Sequence, residues 1–217
     1  MSRNSVERKK IMERLPLTIP VIVWSMVLVP IDSVNAQVDS RIVVGVTPTC
    51  PYGILACSGA AHEALGKMEG VEAVTSVPDS YNCTFELQRN QPGLPPNEKW
   101  KEQFRAVGGD VFVFRGVEIT VDGQLRRQGD DWILQVPGEP VPLRVALLEH
   151  KLQWNFRKRT SRQPEPDERA AYQELCQLAS KEAICVQITG PFRWADQVPV
   201  IEVREYYFPK DQHGLTP

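Results

Sequence analysis

Proline limits the folds open to this chain more than any other feature. Eighteen prolines are spread over 217 residues. Each fixes φ and removes a backbone donor, so helix interiors and central strands are broken where they fall. Pro78, Pro92, Pro95, Pro96, Pro137 and Pro191 all sit in expected connections. Between them the apolar residues recur with period two or with helical spacing, in short stretches. The reading is an α+β protein of many short elements joined by structured loops.

The N-terminus has the three parts of an export signal. Arg3, Arg8, Lys9, Lys10 and Arg14 form a basic region, Leu15 to Ile31 carries no charge, and Val34-Asn35-Ala36 supplies small residues for cleavage. The apolar run is a little short of the ~20 residues that span a bilayer, and Pro20 and Pro30 interrupt it. Residues 1–36 are therefore expected to be a cleaved signal peptide, and the protein extracytoplasmic, periplasmic or secreted. A membrane association is expected only if that segment stays uncleaved. The remaining chain carries 20 Lys+Arg against 24 Asp+Glu, a formal charge of −4. This mild acidity gives no reason to expect nucleic acid as a partner.

Residues 37–116 read as a first module. Arg41 to Val46 is a β-branched strand, and a loop carrying Cys50 leads to a helix near Cys57. Cys57, Ala61, Leu65 and Met68 share one helical face, and Gly70 ends the helix. Val71 to Val77 is a second strand, and Cys83, Phe85 and Leu87 alternate with polar residues in a third. Asn97 is expected to cap a second helix bearing Trp100, Phe104 and Val107, which Gly108-Gly109 closes. Val111 to Phe114 is a fourth strand. The order βαββαβ is that of the ferredoxin-like fold.

A strand, a Cys-bearing loop, a helix starting at Cys and then Ala64-Leu65-Gly66-Lys67-Met68-Glu69-Gly70-Val71-Glu72-Ala73-Val74 resembles the heavy-metal-associated domain. The resemblance spans roughly residues 41–115. It implies soft-metal binding, notably of copper(I), through two thiolates. Cys57 matches the family's second cysteine by its distance to Gly70-Val71. Position 54, where the first would fall, is Ile54, and Cys50 is the substitute. A helix N-terminus favours a thiolate at Cys57, so metal ligation by Cys50 and Cys57 stands beside a disulfide between them, which an exported location favours. His62 lies on another helical face and reads as a surface histidine. Cys83 reads as a small buried residue.

Residues 117–208 read as a second module, with 209–217 a tail. Alternating segments at Val117 to Val121, Trp132 to Val136 and Val141 to Leu148 are three strands. Asp167 to Ala179 is a helix with Ala171, Leu175 and Leu178 inward. Ile184 to Thr189 and Val200 to Phe208 are further strands, with Gly190-Pro191 expected to break the first of them. The order βββαββ is that of a small OB-like barrel. Cys176 and Cys185, across the helix-to-strand turn, are disulfide candidates. Lys151, Trp154, Arg157, Lys158 and Arg159 mix basic and aromatic side chains. They form either a charged edge strand or a surface for an anionic glycan, a lipid headgroup or a protein.

No Gly-x-Ser-x-Gly, His-Glu-x-x-His or P-loop spacing occurs. The expected function is therefore an exported, non-enzymatic binding protein for a soft metal or a partner. A thiol-disulfide redox role for Cys50 and Cys57, or a purely structural stapled module, are the alternatives.

Overall fold

Ile42, Val43, Val44 and Val46 form a continuous apolar run, and all four are buried in β1 (Arg41–Pro48). A strand of that kind is covered on both faces, and the rest of the fold is arranged around it. The computed structural model describes residues 41–49, 54–77, 84–155 and 157–209. The expected export segment, Cys50, Cys83, Phe156 and most of the tail lie outside the described residues.

The elements after β1 are α1 (Ile54–Gly66), β2 (Val71–Ser76), β3 (Thr84–Arg89), α2 (Asn97–Gly108) and β4 (Phe112–Gln128). They continue with β5 (Asp131–Gln135), β6 (Leu143–Leu147), β7 (Trp154–Asn155), β8 (Thr160–Ser161) and α3 (Pro166–Leu178). β9 (Ile184–Ala195), β10 (Val198–Val203) and β11 (Glu205–Tyr207) complete the described chain. The class is mixed α+β, as the periodicities indicate. Nine strands form one sheet in the order β11-β9-β10-β6-β5-β4-β1-β3-β2, with β9 also paired to β4. Among the described strands, only β6 and β10 run parallel. Because β9 returns to β4, the strands β4, β5, β6, β10 and β9 close a ring.

β4 organises the whole. One of its edges pairs with β1 through Phe112 to Thr120 and then with β5 through Gln124 to Gln128. Its other edge pairs with β9 through Val117 to Leu125. Val117, Ile119, Val121 and Leu125 alternate toward one face and are all buried. That face is covered by α1 and α2 over β1 and becomes the interior of the ring further along. Trp100 and Phe104 of α2 share one continuous core with Leu125, Leu143 and Val186.

Two expectations from the sequence are corrected. Asn97 does not cap α2: Pro96 holds the cap position, with no side-chain cap bond, and Asn97 is the first helical residue. Its side-chain amide instead donates to the Phe192 carbonyl of β9. Gly190-Pro191 does not end its strand, because β9 runs on to Ala195. There the strand releases β11 and takes up β10, between the pairs Thr189–Glu205 and Ile201–Phe192. The missing Cβ of Gly190 makes the switch possible: one built there would lie 1.6 Å from the Glu202 carbonyl oxygen.

Candidate functional site

Glu118 on β4 and Glu202 on β10 occupy polar positions in alternating strands, which places them on the outer face of the ring. Both are nonetheless buried. Residues 148–153, following β6, lie over them as a strap, anchored by the buried Leu148 and Leu152. Arg115 of β4 donates to the Leu152 carbonyl at 2.9 Å and to the Thr47 hydroxyl. Lys151 is only 5% exposed and pairs with Glu168 of α3 at 2.6 Å. Glu168 also accepts the Glu165 amide, closing the capping box of α3.

The Glu202 carboxylate is 1% exposed. It accepts the amides of Glu149 and His150, each at 2.8 Å, the His150 Nδ1 at 2.7 Å and the Arg193 Nε at 3.3 Å. Burial alone pushes such a carboxyl up. The Glu149 amide, the His150 side chain and the His150 amide together outweigh it and hold the group below its ordinary value of 4.5. A carboxyl depressed on folding stabilises the fold above its unfolded pKa, and this contribution is lost as the pH falls through the folded value. Urea midpoints measured between neutral pH and pH ~3 should thus fall less steeply for Glu202→Gln than for the unaltered protein. Parallel acid losses would refute the assignment. Glu118 takes the Arg204 guanidinium in a fork, at 2.9 and 3.0 Å.

Beside the strap lies a cleft of about 180 Å³. Its walls come from the first turns of α2, from β4 at Phe114 to Val117, from β9 at Pro191 to Arg193, and from His150, Leu152 and Glu202. Glu202 fixes His150 through Nδ1 and Arg193 through Nε. The Nε2 of His150, the terminal nitrogens of Arg193 and the ammonium of Lys101 have no hydrogen-bond or ion-pair partner among the described residues. Asn97, 6% exposed, stands in the same wall with its Oδ1 unpartnered.

Residues beyond the strap form a small finger. Trp154–Asn155 pairs with Thr160–Ser161 in a hairpin separate from the main sheet. Its base is closed by the Arg162 amide on the Gln153 carbonyl at 2.8 Å, and Arg115 lies over the Trp154 ring at 5.3 Å. Its tip exposes Arg157, Lys158 and Arg159. Among the described residues none of these three, nor Arg162, has an ion-pair partner. Arg159 adopts φ 51°, in the left-handed region.

The residues singled out from the sequence therefore separate. Lys151 and Trp154 serve the interior and the base of the finger, while Arg157, Lys158 and Arg159 face solvent. Cys176 and Cys185 are free thiols, so the bridge considered between them is not formed. Burial pushes the Cys176 thiol up, against a hydrogen bond with Tyr172 that lowers it. Cys185 alternates with the buried Val186 and Ile188 and so points away from the ring interior. Cys57 is disulfide-bonded, and its sulfur in that state is neither a thiolate ligand nor a nucleophile. Cys50, its expected partner, lies outside the described residues. His62 is exposed and bonds the Val74 carbonyl at 2.8 Å. His150 and Glu202 were not signalled by spacing, being far apart in sequence and joined only by the strap. Comparison with known proteins finds no matching family model, no similar characterised protein and no matching solved structure.

Proposed function

We propose that this chain is an exported, non-enzymatic binding protein whose finger engages an anionic glycan. In this reading a ferredoxin-like module and an OB-like barrel share one strand. Support for the first is the antiparallel order β4-β1-β3-β2 with α1 and α2 in the crossovers. Support for the second is the five-strand ring with α3 between its third and fourth strands and its third and fifth strands parallel. Cys57, disulfide-bonded, serves here as a staple rather than as a ligand for copper(I).

The observation that carries the binding role is the finger tip. Three successive cations lack ion-pair partners among the described residues, on a chain whose net charge is −2. One of them, Arg159, keeps a long charged side chain at a φ that costs about 1 kcal/mol relative to glycine. Strain retained for a charge points to use of that charge. Guanidinium forks suit carboxylate and sulfate groups. A few surface cations hold a bilayer only weakly without an inserted chain, at ~1 kcal/mol each.

A soluble polyuronate tests this by titration calorimetry over a range of salt. Binding should weaken with a log–log slope of about −3, as release of counterions at about four contacts requires. The triple variant Arg157→Ser, Lys158→Ser, Arg159→Gly should bind at least ~10-fold more weakly. Its glycine suits the left-handed φ, so the hairpin should persist. Unchanged affinity in the variant removes the finger from the role. Tighter binding to phosphatidylglycerol vesicles than to polyuronate replaces the glycan with a membrane.

A further inference from the structure

The geometry points to a second, independent site: the cleft between α2, the strap and β9 binds a small organic carboxylate that carries a neighbouring hydroxyl or amide N–H. Nothing in this rests on the finger.

The cleft offers what a carboxylate needs. Arg193 and His150 are held from behind by the buried Glu202, each through one nitrogen. Their other nitrogens are left without protein partners among the described residues. A guanidinium tethered at Nε still presents its two terminal nitrogens as a fork, which matches the two oxygens of a carboxylate. Lys101 lines the opposite wall on α2, also unpaired among the described residues, while Arg115 is committed to Leu152, Thr47 and Trp154. Among the ionisable lining residues, Lys101, Arg115 and Arg193 face Glu98 and Glu202. Setting His150 aside, this leaves one positive charge unbalanced, so a monoanion completes the site.

The requirement for a donor comes from Asn97. A buried acceptor without a partner is uncommon, because its desolvation goes uncompensated. The Asn97 amide nitrogen is taken by the Phe192 carbonyl, which fixes the amide plane and leaves Oδ1 a buried acceptor without a partner, on a residue that lines the cleft. A ligand hydroxyl or N–H beside the carboxylate would satisfy it. The volume of about 180 Å³ suits a ligand of a few heavy atoms. Two sources share this chemistry: a free hydroxy acid and the C-terminal residue of a peptide.

NMR titration of the nitrogen-15-labelled protein with glycolate, N-acetylglycine and acetate separates these readings. The Asn97 side-chain amide gives its own signals and reports on the cleft directly. Saturable shifts at Asn97, Lys101 and Phe192 are expected with glycolate or N-acetylglycine, at least about fivefold tighter than with acetate. The tighter of the two names the source, a free acid or a chain terminus. Arg193→Gln and Lys101→Gln should each weaken binding about fivefold or more, with Lys101→Gln touching no internal contact. The finger triple variant should leave cleft binding unchanged. Shifts that do not saturate, equal affinity for acetate, or unaltered binding in both cleft variants overturns the proposal.

Discussion

Replacing Gly190 with alanine should destabilise the protein by about 4 kcal/mol or more, in the range reserved for substitutions that the backbone cannot absorb. The new Cβ would meet the Glu202 carbonyl oxygen at 1.6 Å, the Glu202 carbonyl carbon at 2.9 Å and the Arg204 amide nitrogen at 3.1 Å. All three are main-chain atoms, so no side chain can rotate away. Relief requires parting β9 from the stretch where β10 ends and β11 begins. That movement would strain the Arg204 amide to Thr189 carbonyl bond, 3.0 Å long. It would also disturb the carboxylate of Glu202 itself, two residues before the bend at Arg204. Gly59→Ala is the natural control. It lies within α1, where an added methyl would meet nothing within 4 Å, and should be neutral or stabilising by ~0.5–1 kcal/mol through helix propensity. Chemical denaturation of the two variants decides the matter. Equal stabilities would show that β9 and β10 can separate freely at this point.

Glu118→Ala should cost about 3 kcal/mol, near the lower end for breaking a buried ion pair. The substitution leaves the Arg204 guanidinium under the strap with Glu205, at 2.7 Å, as its one ion-pair partner among the described residues. It also removes the group facing the Gln153 amide at 3.5 Å. Arg204 is held above its ordinary pKa: burial works against its charge, and the carboxylates of Glu118 and Glu205 more than offset this. A guanidinium does not release its proton in a protein, so in the variant Arg204 stays charged with Glu205 compensating it only in part. The double variant Glu118→Met, Arg204→Leu removes both charges and should recover most of the loss, since an apolar pair of similar volume is often as stable as a buried ion pair. Urea denaturation of the single and double variants gives the coupling between the two positions. A single-variant cost below ~1 kcal/mol would mean that the pair behaves as a solvated surface contact.

Local periodicity made much of the fold legible. Ala61, Leu65 and Met68 share a helical face and are buried, and Val117, Ile119 and Val121 alternate inward as their spacing indicates. The β-branched run from Ile184 to Ile188 likewise declares a strand. What stayed hidden was whatever a distant segment decides. Asn97 carries a helix-cap residue type, yet its amide is claimed by Phe192, ninety-five positions away. Glu118 and Glu202 lie on the outward face of their strands. Their burial comes from a strap whose own sequence, Leu148 to Gln153, has no regular period. Lys151 looks the same in sequence as Lys158. Only the placement of Glu168 on α3 takes one inward and leaves the other in solvent. Gly190-Pro191 reads as a break because glycine and proline usually interrupt strands, whereas here the absent Cβ is what lets the strand continue.

The unbroken course of β4 has a consequence for recognition kinetics. The strand pairs with β1 on one edge and β9 on the other over the same residues, Val117 to Thr120. The two sides of the cleft therefore share a rigid spine, with no hinge about which they could swing shut over a guest. Selectivity must then be present before the guest arrives, in fixed nitrogens and fixed volume. Little ordering entropy remains to be lost on capture. Association should be limited by diffusion and access rather than by a closing step, and a poor guest is rejected by leaving quickly.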